Sequence, residues 1–158
     1  MFRVTVDEPN YSAVLAEPLD ADQIRCISED VPLGDSPRIW AINHTSPAKH
    51  EYENFMSSGD GLLLYKVKRG RASDEGNYVG LGRIGEKFQT DEQTALDLFN
   101  TSSARLMFSI EDFDRIRIPV HDLEPILGYK QHPQRTQRVK PHRYQSVSEV
   151  FGLLRNDG

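Results

Sequence analysis

The chain has 158 residues, 37% hydrophobic and 27% charged, within the range of one soluble globular domain and outside the compositional range of disordered chains. No apolar run exceeds four residues, so a membrane helix of about 20 apolar residues is excluded, and the acidic N-terminus has no signal pattern; an intracellular, cytoplasmic protein is expected. The single cysteine, Cys26, cannot form an internal disulfide or supply a Cys-rich zinc cage, and it reads as a small hydrophobe.

Net charge is −5, yet its distribution is uneven. Residues 125–148 contain no Asp or Glu but carry Lys130, Arg135, Arg138, Lys140 and Arg143, with His132 and His142 beside them. The remainder has 14 basic against 24 acidic residues, or −10. A domain that stays soluble and still offers one basic strip to a phosphate backbone needs such a split, although a solvated loop of the same composition would look alike.

Residues 1–37 are acidic and punctuated by four prolines. They are expected to form an extension packed on a body spanning 38–158. Within the extension, residues 3–6 alternate as a short strand, and Asp20 is placed to cap a helix over 21–27. The body opens with a strand over 39–42 that ends in the polar turn 43–47. Helical spacing follows at Tyr52, Phe55 and Met56, and the Gly59, Asp60, Gly61 turn stops it. Residues 62–67 and 78–88 read as a hairpin around the polar loop 69–77. A helix over 91–99 has Thr90 as its expected cap, with Gln93 closing a capping box. Two strands, 105–110 and 114–120, are expected around a turn at 111–114. The basic segment follows, and Val147, Val150, Phe151 and Leu154 have the spacing of a closing amphipathic helix. Five or six strands among short helices, without regular βα alternation, point to α+β or a small mixed β-barrel.

Gly80, Gly82 and Gly85 spell GxGxxG, the dinucleotide fingerprint. That motif requires its last glycine to open a helix whose N-terminus receives a pyrophosphate, whereas Gly85 leads into Glu86, Lys87 and Phe88. The glycines are therefore read as bends or close approaches in a strand, and no cofactor is expected. The five histidines show no metal-ligand spacing, so no metal is expected. Glu111, Asp112 and Asp114 are read as turn residues in preference to a catalytic or metal-binding cluster. The sequence offers no catalytic constellation. Phe55, Phe99, Phe108 and Phe151 are expected in the core. Trp40, Tyr52 and Phe88 lie near the 43–46 turn or the end of the hairpin. There they could stack on an extruded base, with Asn43, His44 and Thr45 reading its polar edge.

The order RIWAIN, FMSSGDGLLLYKV, YVGLGRI, TDEQTALDLF resembles the PUA-like superfamily, particularly its EVE branch and the neighbouring YTH branch. Met56, Gly59, Asp60, Tyr65, Val79, Gly80 and Ala95 fall at the places of the EVE pattern, and Thr136, Gln137, Arg138, Val139 and Pro141 are similar to a late YTH strand near bound nucleic acid. The resemblance covers roughly 38–154. It implies a compact barrel that binds nucleic acid and draws a modified base into an aromatic pocket. It also implies service as the specificity module of a modification-dependent restriction system, with a nuclease or GTPase in a fused or partner protein.

The chain departs from the pattern in two places. Asn43, His44, Thr45, Ser46 and Pro47 replace Lys-Ser-Glu-Pro, and the long insert with a second Trp is missing, so a three-Trp cage is excluded. The resulting expectation is a non-enzymatic domain that recognises a methylated base in DNA by flipping it, with a reader of modified RNA as the alternative and a nucleotide-dependent enzyme or nuclease as a third reading. The expected pocket is Trp40, Asn43, His44, Thr45, Tyr52 and Phe88. The expected phosphate contacts are Lys130, Arg135, Gln137, Arg138 and Arg143.

Overall fold

The computed structural model of the chain describes residues 1–127, 129, 133, 135–139 and 151–152. Among the described residues six strands, β1 (Phe2–Val6), β2 (Arg38–Ile42), β3 (Gly61–Lys66), β4 (Asn77–Gln89), β5 (Leu106–Pro119) and β6 (Gln137–Arg138), form one sheet in the order β2-β5-β4-β3-β1-β6. Pairing of β1 with β3 is parallel, whereas β1 with β6 and β2 with β5 are antiparallel. The sheet is therefore mixed. Short helices α1 (Asn10–Val14), α2 (Ala21–Arg25), α3 (Ala48–Asn54), α4 (Glu92–Phe99) and α5 (Val120–Leu127) lie between the strands in sequence. This is the α+β class expected from the sequence.

By its internal contacts the chain divides into two units. One comprises residues 1–7, 60–82 and 112–158, the other 8–59 and 83–111, and both β4 and β5 contribute residues to each. In the first unit β3 is buried at all six positions, Leu62, Leu63 and Leu64 completely, as a continuous apolar run covered on both faces should be. Its core joins Leu63, Tyr65, Tyr78, Leu81, Ile116, Leu123 and Phe151. In the second unit α1 packs on α4 and β2, and α3 packs on β2.

Several expectations change. Residues 1–37 do not all lie outside the sheet, because β1 pairs Phe2–Val6 with Leu62–Lys66 on one side and is bonded to β6 on the other. The two strands expected on either side of 111–114 are one 14-residue strand, β5. Its acidic segment does not reverse the chain; the break in regularity is Asp112, at φ 53°, a conformation that Asp tolerates better than most residues. The cap of α4 is Asp91, whose side chain accepts from Thr94 N at 2.8 Å, and not Thr90. Phe55, expected in the core, is 37% exposed and lies edge-on to His50, whereas Phe99, Phe108 and Phe151 are buried. The capping box on α2 forms as expected between Asp20 and Gln23. β4 runs without interruption through Gly80, Gly82 and Gly85 to Gln89, so the literal GxGxxG opens no helix. Of the closing helix, Phe151 and Gly152 are helical, and Val147, Val150 and Leu154 lie outside the described residues.

Candidate nucleic-acid interface

β2 delivers its last side chains to the polar turn, which is shaped by its own hydrogen bonds. Asn43 Oδ1 accepts from Thr45 N at 2.8 Å and from Thr45 Oγ1 at 2.7 Å, the local turn that Asn forms readily. His44 donates its backbone N–H to Ser103 O at 3.0 Å, and its ring Nδ1 lies 3.0 Å from the same oxygen. A carbonyl only accepts, so Nδ1 carries the hydrogen. Asn43 and Thr45 are exposed and His44 is half-buried.

The aromatics separate by environment. Trp40 is 4% exposed, with its ring edge-on to Phe99 at 5.5 Å between centroids and 84° between planes. It is a core residue here, because β2 turns it toward α4, and it presents no open face for stacking. Tyr52 is also buried, at 2% exposure, with its hydroxyl 2.7 Å from Met107 O and 3.1 Å from Phe88 O. Burial pushes its phenol well above the usual tyrosine range. Phe88 is half-buried.

Tyr52 and Phe88 do come together, around a residue that sequence reasoning did not select. Lys87 Nζ donates to Tyr52 O and, at 2.8 Å, to Met56 O, and it sits 4.6 Å from the Tyr52 ring centroid. The ammonium thus satisfies carbonyls at the C-terminal end of α3, where a cation is favoured, and covers one aromatic face. Tyr52, Glu53, Lys87, Phe88 and Gln89 line a hollow of ≈ 330 Å³, near the lower end of ligand-pocket sizes of about 300–1,000 Å³. An aromatic edge, a carboxylate, an amide and an ammonium around one hollow can contact a flat heteroaromatic ring and its donor and acceptor edge. Trp40 and the 43–45 turn do not line it. Glu53 and Gln89 gave no sequence signal, since exposed polar residues at helix and strand ends are common.

Of the expected phosphate contacts, Arg135 and Arg138 are exposed. Arg138 pairs with Phe2 in the β1–β6 register, and Gln137 with Arg3. Thr136 and Val139, which flank the strand, are buried, whereas Arg138 is exposed. Gln137 is half-buried, and its Oε1 lies 3.4 Å from Arg3 Nη2. Lys130 and Arg143 lie outside the described residues, as do His132, Lys140 and His142. Glu111, Asp112 and Asp114 are exposed along β5. Among the described residues no group of three or more His, Cys, Asp or Glu is placed to hold a metal ion, and no helix is long and apolar enough to cross a membrane.

No protein-family model matches the chain, and a search of curated proteins gives no match. Solved structures do match. The N-terminal domain of McrB from Thermococcus gammatolerans, bound to m5C DNA, superposes with a TM-score of 0.71 at 17% identity, over 98% of this chain and 96% of that one. ASCH from Zymomonas mobilis gives a TM-score of 0.51 at 11% identity over 94% of both chains. A hypothetical protein from Leishmania major gives 0.54 at 14% identity, over 99% of this chain and 94% of that one. At such identities the likeness is one of fold, and the fold is PUA-like, as the sequence motifs implied.

Proposed function

We propose that this chain is a DNA-binding specificity domain that recognises a methylated base drawn out of the duplex. The observation that carries the reading is the match, over 98% of the chain, to a domain described as bound to m5C DNA. The hollow beside Phe88 supports it. A base displaced from its stack needs an aromatic contact and hydrogen-bonding groups at its edge, and Phe88, Glu53 and Gln89 border one hollow. Lys87 and Tyr52 hold its wall, and Asn43, His44 and Thr45 form a polar surface at the end of β2. Trp40 then acts from beneath, as packing for that strand.

Arg135 and Arg138, with Lys130 and Arg143 of the same acid-free segment, would hold phosphates and supply the salt-sensitive part of affinity. Gln137 would assist through its amide NH2, because its oxygen faces Arg3. No chemical step belongs to this domain in our reading; cleavage would be carried out by a fused or partner nuclease or by a GTPase-driven assembly, in the cytoplasm.

The test is Phe88→Ala. Stacking of a base on an aromatic is worth about 1–3 kcal/mol, so the variant should lose about fivefold or more in affinity for a duplex containing 5-methylcytosine while keeping its weak binding to the unmodified duplex. An unchanged ratio in a folded variant would remove Phe88 from the base site. Tighter binding to a modified RNA strand than to DNA, lost when the 2′-OH is removed, would replace the DNA reading with the RNA one.

A further inference from the structure

The loop joining β3 to β4 turns its cations outward and its carboxylates inward. Lys68, Arg69 and Arg71 are exposed, whereas Asp74 and Glu75 are half-buried. Asp74 Oδ1 accepts from Lys66 Nζ at 2.7 Å, and the Lys66 side chain is only 2% exposed, so this acid is balanced from inside the protein. Glu75 folds back on its own loop. Its Oε1 accepts from Gly70 N at 2.9 Å and Arg69 N at 3.3 Å, and its Oε2 from Ala72 N at 3.1 Å. Asn77 Nδ2 donates to Asp74 O at 3.0 Å, and Gly76 N to Lys66 O at 2.8 Å. Gly76 adopts φ +82°, which suits glycine. From β5, Arg117 Nη2 donates to Ser73 O at 2.8 Å, placing a fourth exposed cation beside the loop.

These bonds have two consequences. Asp74 is neutralised by the buried Lys66 ammonium, and Glu75 alone offsets the exposed Lys68, Arg69, Arg71 and Arg117, so a chain of net charge −5 presents a local positive patch. The loop is also fixed in shape before any partner arrives, which reduces the ordering cost of binding. Lys68 and Arg69 border a cavity of ≈ 700 Å³ that also touches Val67, Asn77 and His121, so the patch stands at the edge of a concavity.

We propose that Lys68, Arg69, Arg71 and Arg117 form a second phosphate-contact patch, preset by Asp74 and Glu75, that grips the nucleic-acid backbone independently of the 130–143 segment. The ligand chemistry is the phosphodiester, which calls for several fixed cations and no base-specific group. This inference rests on the DNA-binding reading above but not on recognition of the methyl group.

The test measures affinity of the full chain for methylated and unmodified duplexes across salt concentrations. Lys68→Ala, Arg69→Ala and Arg71→Ala alter exposed side chains, so the fold should survive, as thermal melting checks. Each phosphate contact contributes about 0.9 to the slope of log affinity against log salt. The triple variant should therefore lower the slope's magnitude by two or more on both duplexes and leave their affinity ratio unchanged. Arg25→Ala, an exposed cation on α2, should leave the slope as it is. An unchanged slope in the folded triple variant overturns the patch while leaving base recognition standing. Reduced slope with no methyl preference in the parent protein keeps the patch and removes base recognition. A parent protein with no affinity for either duplex overturns both.

Discussion

Arg3 Nη1 lies 2.9 Å from Glu124 Oε2, with both side chains less than a tenth exposed. The two residues are 121 positions apart in the chain. Arg3 stands on β1 and Glu124 on α5, and the Arg3 guanidinium lies 3.8 Å from the Tyr129 ring centroid while Tyr78 donates its hydroxyl to Glu124. The pair therefore ties the first strand to the helix that precedes the basic segment. Removing one partner of a buried ion pair leaves the other charged and desolvated, at a cost of about 3–5 kcal/mol. Arg3→Met should destabilise the protein by that order in urea titration, and Arg3→Met combined with Glu124→Leu should recover a large part of the loss. A double variant that loses as much as Arg3→Met and Glu124→Leu added together would show that the pair is not coupled.

Two buried phenols make stability fall in alkali. Burial raises the Tyr52 phenol, and burial together with donation to the Glu124 carboxylate raises that of Tyr78. In the unfolded chain both titrate near an ordinary value of about 10. Folded protons are then held where the unfolded chain has lost them, so this stabilisation is complete below about pH 10 and declines as pH rises beyond it. Tyr52→Phe should cost about 1–2 kcal/mol at neutral pH, through the lost bonds to Met107 O and Phe88 O. The variant's decline above pH 10 should be shallower than that of the parent. A parallel decline would mean that Tyr52 ionises freely in the folded protein.

The motif order between residues 38 and 99 made the PUA-like fold legible, because apolar runs such as 62–65 and glycine positions in β4 are constrained by the sheet itself. What the sequence did not disclose was set by tertiary contact. Nothing local to residues 2–6 says that they will lie parallel to β3, since the partner is 60 residues away. Likewise β5 continues as one strand through Asp112 despite its positive φ, where Asp and Glu suggest a turn. Among the candidate site residues, Trp40 and Tyr52 look alike in sequence to residues that line a cleft, and only packing against Phe99 and bonding to Met107 show them to be buried. Lys87 carried no signal, because its role depends on where the last turn of α3 ends. The β3–β4 loop reads in sequence only as a polar loop, because Asp74 and Glu75 mask its cations until the direction of each carboxylate is known.

Gly80 and Gly85 of β4 are places of close approach, and substitution reports on that directly. A Cβ on Gly80 would stand 2.7 Å from Phe113 Cε2 and 3.0 Å from Leu64 Cδ1. Gly85→Ala would meet Ser109 Oγ, which already accepts from Glu86 N at 2.8 Å. Overpacking of this kind costs about 1–3 kcal/mol, so Gly80→Ala should lower the melting temperature. The parent protein should show no thermal shift with NAD, NADP or FAD, since any ligand that binds only the native state stabilises it. A saturable shift with one of them would contradict the reading of β4 as a strand without a cofactor site.

Recognition of a methylated base in DNA is tested most directly by the affinity of the unaltered chain for two duplexes that differ only in the 5-methyl group of one cytosine, measured by fluorescence anisotropy at fixed salt. Burying a methyl group is worth about 1 kcal/mol, and selection in a close-fitting site adds to this only modestly. The methylated duplex should therefore bind at least about fivefold more tightly, with the difference unaffected by salt while both affinities fall as salt rises. Equal affinities for the two duplexes, and for a pair that differs by 6-methyladenine, would contradict it.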